Sequence, residues 1–348
     1  MAYTTIDKPS DYFETVLYTG NGGTQSITSL DFAPALCWFK SRTTTDAHAW
    51  YDSVRGATKR IKSNSSDAET TQSTALTSFN SDGFSIGAGG DVNTSSASMV
   101  AWNWKAGTSF TNDASATGIG SIDSTGSVNT DAGFSIVSYT GTGSAGTIKH
   151  GLSTAPKMII QKNRDETQPW WTYVESIGAG GQLRLNATNA AGSDGATLWN
   201  STAPTSSVFS VGDNTGTNGS ADKCIAYCFA EKQGYSKFGS YTGNGNADGT
   251  FIYTGFKPAW LMIKKSSATE EWYMYDNKRT PFNEIAKGLA ANLSGAEFDT
   301  GATIDFLSNG FKNTGTNTGT NASGATYIYM AFASNPFVTS TGVPATAR

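Results

Sequence analysis

Tyr18-Thr19-Gly20-Asn21-Gly22 returns as Tyr139-Thr140-Gly141-Thr142-Gly143 and again as Tyr241-Thr242-Gly243-Asn244-Gly245. An internal repeat has to be settled first, because overlooking it misassigns the whole fold. A second landmark follows each copy: a proline, an apolar run, then lysine. It reads Pro34-Ala35-Leu36-Cys37-Trp38-Phe39-Lys40, then Pro156-Lys157-Met158-Ile159-Ile160-Gln161-Lys162, then Pro258-Ala259-Trp260-Leu261-Met262-Ile263-Lys264. The prolines keep the spacing of the tyrosines to within one residue. A third landmark closes each copy: Val100-Ala101-Trp102-Asn103-Trp104, Ile225-Ala226-Tyr227-Cys228-Phe229 and Ile328-Tyr329-Met330-Ala331-Phe332. Fainter echoes lie between. Asp52-Ser53-Val54-Arg55 parallels Asp276-Asn277-Lys278-Arg279, and Asp67-Ala68-Glu69 parallels Gly295-Ala296-Glu297. Collinear landmarks at matched spacing mean a threefold duplication.

The landmarks divide the chain into an N-terminal anchor segment (1–14), units at 15–106, 134–235 and 236–334, and a C-terminal tail (335–348). The Gly/Ser/Thr-rich stretch 107–133 reads as a linker, with units two and three close together and unit one offset. Within the units the apolar periodicity is that of strands. Phe134 and Ile136 alternate with polar or opposite-facing neighbours, and Thr326–Phe332 is rich in β-branched and aromatic residues. Turn dipeptides such as Asp82-Gly83, Asp248-Gly249 and Asn309-Gly310 punctuate them. The expectation is an all-β protein of three tandem sandwich or jelly-roll-like units, each with at most one short helix. The best helical pattern is Pro281–Leu293, with apolar Phe282, Ile285, Ala286 and Leu289. Pro34, Pro156 and Pro258 fit the first residue or edge of a strand, because proline has no donor for the ladder. Lys40, Lys162 and Lys264 mark where each apolar strand is expected to leave the core.

Composition excludes several functions. The 348 residues carry 15% charged side chains, against about 25% in ordinary globular chains. Aromatics reach 12%, which rules out a disordered chain. With a net charge of −4 there is no basic footprint for nucleic acid. No apolar run approaches the ~18 residues of a membrane span, and no charged-then-apolar signal region opens the chain. Cys224 and Cys228 in one strand would lie about 13 Å apart at ~3.3 Å per residue, too far for a disulfide. With Cys37 they read as core thiols.

The residues give little support for catalysis. The two histidines, His48 and His150, fall at non-equivalent repeat positions and no G-x-S-x-G elbow occurs. Asp165-Glu166 and Glu270-Glu271 read as solvated turn residues rather than a glycosidase pair. Asn244–Gly249 has alternating oxygen ligands, but Gly255 stands where an EF-hand needs glutamate. No catalytic residue, metal site or cofactor is expected. Trp50, Trp170-Trp171 and Trp272-Tyr273 fall at roughly equivalent places on the strand after the lysine. They are the candidates for an interface or ligand contact. Adjacent strand residues face opposite ways, so one of Trp170 and Trp171 faces outward or into another unit.

Several longer strings carry a resemblance. They are Met1–Phe13, Tyr51–Lys59, Tyr139–Gly143, Ala226-Tyr227-Cys228-Phe229-Ala230-Glu231 and Asn335–Gly342. Through them the chain resembles, over nearly its whole length, virion structural proteins of marine tailed bacteriophages that are tail-fibre-like and poorly defined in function. The resemblance implies a protein made in the host cytoplasm and built into the virion, without enzymatic activity. A tail-fibre or receptor-binding role comes first, with other virion proteins and a host-surface glycan or protein as partners. Capsid decoration or a head fibre is the alternative, and a surface-polysaccharide depolymerase is more remote. A fibre implies a homotrimer, yet three tandem units could mimic a trimer within one monomer.

Overall fold

The computed structural model describes residues 2–345. It is mostly β, built of antiparallel sheets with only short helices. Each unit forms one main sheet from four strands. In unit one they are Phe13–Thr19, Leu36–Ser41, Ala49–Asp52 and Ser98–Trp104. In unit two they are Phe134–Thr140, Met158–Asn163, Trp171–Val174 and Lys223–Phe229. In unit three they are Ser236–Thr242, Phe256–Lys265, Trp272–Asp276 and Thr326–Pro336. The spatial order is the same every time: first, last, second, third. The register is the same too. Leu36 faces Trp104, Met158 faces Phe229, and Trp260 faces Phe332.

A smaller antiparallel pair accompanies each main sheet: Gln25–Ile27 with Gly83–Ile86, Gly146–Lys149 with Val208–Val211, and Phe251–Tyr253 with Gly310–Asn313. In unit three, Ile285–Ala290 and Phe298–Leu307 join the main sheet to the small pair, giving one nearly closed eight-stranded sheet.

Both faces of each main sheet are buried, which explains the unbroken apolar runs. One face of every sheet enters a single central core shared by all three units. That core holds Trp38, Trp50 and Trp102 from unit one, Ile136, Ile160 and Tyr227 from unit two, and Trp260, Met262 and Met330 from unit three. The opposite face packs on the unit's own small sheet: Cys37 and Phe39 on Phe84, Ile159 and Val137 on Phe209, Leu261 and Ile263 on Phe311. All three cysteines are buried and free. Unit one is therefore not offset, but contributes fully to the common core.

The Tyr-Thr-Gly-x-Gly landmark has a local cause. Tyr18, Tyr139 and Tyr241 each donate their hydroxyl to a backbone carbonyl, of Val92, Thr217 and Thr320. The next residue is a buried asparagine: Asn93, Asn218 or Asn321. Its Oδ1 accepts from the backbone N–H of Asn21, Thr142 or Asn244 at 2.8–3.0 Å. Its Nδ2 donates to surrounding loop carbonyls, such as Ser144 and Gly212 for Asn218. The first glycine of the landmark lies against the turn after that asparagine. A Cβ on Gly141 would stand 2.2 Å from the Gly219 oxygen. The second glycine has φ near +70° in all three copies, a conformation glycine adopts without strain.

Several expectations are corrected. The stretch 107–133 is no linker. Thr108–Asn112 and Ser124–Asn129 form a hairpin that extends the main sheet of unit two beside Phe134–Thr140. Pro281–Leu293 is not helical, and Ile285–Ala290 is a strand. Unit two holds two short helices, Gly195–Trp199 and Thr215–Asn218, rather than one. Lys40, Lys162 and Lys264 do not mark an exit from the core, since all three are fully buried. Pro34 and Pro156 precede their strands by two residues. Pro258 lies inside one, at a register shift where its missing donor is tolerated.

The chain's first and last described segments pack on the body. Thr4 donates its hydroxyl to the Gln233 carbonyl at 2.8 Å, and the Phe13 ring stacks on Phe332 at 5.0 Å. Asp7 accepts hydrogen bonds from both the backbone and the hydroxyl of Ser340. The rest of the tail, 346–348, and Met1 of the anchor segment lie outside the described residues.

Candidate functional site

The closing landmarks meet where the three units converge. The rings of Trp104, Phe229 and Phe332 form a triangle with centroid distances of 6.4, 5.7 and 6.2 Å. Residues at one repeat position thus touch one another, which places a pseudo-threefold axis between them.

The seams between units repeat in a cycle. Trp170 of unit two donates its indole N–H to the Lys62 carbonyl of unit one at 2.7 Å. Trp272 of unit three donates to the Arg184 carbonyl of unit two at 2.9 Å. His48 of unit one closes the cycle at the Ala290 carbonyl of unit three, 3.0 Å away. Trp38 donates to His48 Nδ1 at 2.7 Å, so the imidazole proton is on Nε2 and faces Ala290. Burial, reinforced by the charge of Lys40, holds His48 well below its ordinary pKa. The imidazole stays neutral and supplies the N–H that an indole supplies elsewhere. The backbone N–H of each of these residues donates to a matching asparagine, Asn64, Asn186 or Asn292.

Two of the three seams add charge. Asp52 pairs with Arg55, Arg55 reaches Glu69, and Glu69 grips Arg164 of unit two. Tyr227 donates its hydroxyl to Asp52 across the same seam at 2.6 Å. At the seam of units three and one, Asp276 likewise pairs with Arg279, Arg279 reaches Glu297, and Glu297 grips Arg42, while the Trp102 indole donates to Asp276 at 3.1 Å. Burial works against the charge on Glu69, but Arg164 and Arg55 outweigh it and its pKa falls. Among the described residues the third seam has no such ion-pair network, and its one charged contact is from Lys264 of unit three to the Thr188 carbonyl of unit two at 3.0 Å. Val174 stands at the position of Asp52, and Met330 at that of Tyr227. The backbone bond from Ala191 to Ser266 replaces those from Glu69 to Arg164 and from Glu297 to Arg42.

The candidate aromatics are placed by this frame. Trp170 and Trp272 are equivalent, with His48 and not Trp50 as their counterpart in unit one. Trp50, Trp170 and Trp272 are buried in the central core, where Trp50 packs on Trp170 at 5.1 Å. Trp171 and Tyr273 face the other way, each over a glycine of a short helix. A Cβ on Gly216 would meet the Trp171 ring, and one on Gly319 the Tyr273 ring. Arg184 covers Trp171 at 4.7 Å, and Tyr273 is half-buried. Trp50, Trp170 and Trp272 make contacts between units, whereas Trp171 and Tyr273 pack within their own.

Lys40, Lys162 and Lys264 are equivalent, and each donates to the carbonyl of its own successor at 2.7–2.8 Å. Burial pushes all three down to about 8. The paired carboxylates serve turns: Asp165 accepts from the Lys223 backbone N–H, and Glu270 from the Tyr273 hydroxyl. Asn244 Oδ1 is used by the Asn246 backbone and by Asn321. Among the described residues no group of three or more His, Cys, Asp or Glu is placed to hold a metal ion.

Sequence reasoning missed two features. The asparagine turn carries a visible signal, the tetrapeptide Thr-Gly-Thr-Asn at both 215–218 and 318–321. The exposed aromatics lie in unit three, where Phe251 and Tyr253 are 45% and 53% exposed. Their signal is the alternation Phe251-Ile252-Tyr253 in an edge strand.

The geometry defines a β-rich body with three equivalent units locked around one aromatic axis. The chain belongs to the family described as a domain of unknown function, DUF7483, which it matches over residues 8–336. No curated protein matches it.

Proposed function

We propose that the protein is a non-enzymatic structural component of a tailed-bacteriophage virion, a tail-fibre or host-contact part in which one chain supplies what a trimer supplies elsewhere. The observation that carries this reading is the closed cycle His48–Ala290, Trp170–Lys62 and Trp272–Arg184. Closed rotational symmetry is the usual plan of assemblies. A body with internal threefold order presents a matching face to a threefold partner. Each unit is read as a two-layered sandwich of jelly-roll kind, its main sheet inward and its small sheet outward. The resemblance of the sequence to phage virion proteins sets the context, with other virion proteins as partners and a host-surface glycan or protein as target. The same internal symmetry also fits a threefold point on a shell, which favours capsid decoration as the second reading.

Quantitative mass spectrometry of purified particles tests this. A dozen to a few dozen copies, counted against the major capsid protein, support a tail or vertex appendage. Hundreds of copies transfer the protein to the shell. Absence from the particle overturns both.

A further inference from the structure

Unit three differs from its siblings at one surface. The pairing registers make Phe251 equivalent to Ser26 and Thr147, and Tyr253 equivalent to Thr28 and Lys149. Two short polar positions in unit one have become two exposed rings in unit three. They stand two residues apart on one strand, so they share a face.

Tyr253 also walls a cavity of about 180 Å³. Tyr3 lines the other side, and its hydroxyl lies 3.2 Å from that of Tyr253 and donates to the Gly255 carbonyl at 2.8 Å. Gly255 permits this convergence, since a Cβ there would come within 2.6 Å of the Tyr3 oxygen. Gln233, Glu231 and Lys237 line the rest. Glu231 and Lys237 neutralise each other through an ion pair of 2.6 Å. The cavity therefore offers aromatic rings, an amide and hydroxyls, with no net charge. Its volume is well below the roughly 300–1,000 Å³ of pockets for drug-sized ligands.

We propose that this surface binds a neutral saccharide, one ring at a time, against Tyr253 and Phe251. A sugar ring has an apolar C–H face and a rim of hydroxyls. The exposed rings match the face, and Gln233, Tyr3 and the Glu231–Lys237 pair match the rim. A charge-balanced pocket favours an uncharged ring over a uronic acid. The proposal deepens the host-contact reading and rests on it for its biological meaning, but not for its chemistry.

The test is saturation-transfer NMR on the full-length protein. The probes are the methyl glycosides of glucose, galactose and mannose, N-acetylglucosamine, L-rhamnose and glucuronate, each at millimolar concentration. At least one neutral sugar is expected to show transfer at its ring C–H protons. Tyr253→Ala should weaken that binding about tenfold or more, the scale of one well-placed aromatic contact. Tyr253→Phe should keep most of it, and Phe282→Ala, at an exposed ring elsewhere, should change nothing. Unchanged melting curves show that the variants fold. Silence from every neutral sugar, transfer that survives Tyr253→Ala, or a preference for glucuronate overturns the proposal. Particle copy number fails or holds independently. A virion appendage that ignores these sugars sinks the site alone, and a sugar-binding protein absent from particles sinks the virion reading alone.

Discussion

Glu69 of unit one holds Arg164 of unit two with two hydrogen bonds of 2.9 Å, and the same carboxylate is shared with buried Arg55. Removing one member of a buried ion network leaves the others desolvated and unpaired, at a cost of about 3–5 kcal/mol. Glu69→Ala should therefore destabilise the protein by roughly 3 kcal/mol. Urea unfolding measures it. A loss of only a few tenths would mean that water already solvates the two arginines.

The seam between units two and three already shows an apolar solution. Installing it at the first seam, as Asp52→Val, Arg55→Ile, Glu69→Ala and Arg164→Ser together with Tyr227→Met, should recover most of the stability that Glu69→Ala alone removes. Replacing a whole buried ion set by packed apolar groups is often neutral. A fivefold variant less stable than the single one would refute the equivalence of the seams.

The three buried lysines make stability rise with pH. Their pKa is about 8 in the folded protein and 10.5 when unfolded. Between those values the unfolded chain binds more protons, so unfolding becomes harder as pH increases. Below pH 8 both states are protonated and this contribution is flat. The slope between pH 8 and 10 should fall in Lys162→Met relative to the parent, by denaturant midpoints. Equal slopes would show that the ammonium groups are solvated.

The asparagine turns are expected to be the most sensitive polar positions. Asn218 satisfies one N–H and two carbonyls inside the fold. Asn218→Ala leaves them buried and unpaired, at about 1–3 kcal/mol for each group that water does not reach. Asn218→Asp keeps the acceptor but loses both donors, and should be no better than the alanine variant. Thermal melts distinguish these outcomes from a tolerant surface turn.

Much of the repeat was legible in the sequence. The Asp-x-x-Arg echo and the glutamates at 69 and 297 mark positions that do the same work in two seams. The strand landmarks hold because strands buried on both faces leave unbroken apolar runs in the sequence. The order of units around the axis left no such trace, because a seam joins residues far apart in sequence through backbone carbonyls that every residue has. Pro281–Leu293 misled for a simpler reason. Ile285 and Leu289 are spaced as on a helix face, but in the strand a register shift after Ile285 sends Ile285 into the unit's own core and Leu289 into the central core, and Phe282, which the helix would have buried, is 80% exposed. The hairpin at 107–133 hid behind small residues. Gly126 is buried against the Ile136 carbonyl, and only so small a residue fits there.

The triangle of Trp104, Phe229 and Phe332 has a consequence for how the protein can change. A homotrimer encodes its axis once and must accept every substitution there in triplicate. Here each corner has its own codon. One indole can be balanced against two benzyl rings, and a single corner can drift while the other two hold the body shut. The same freedom lets one unit in three acquire a surface that its siblings never carry.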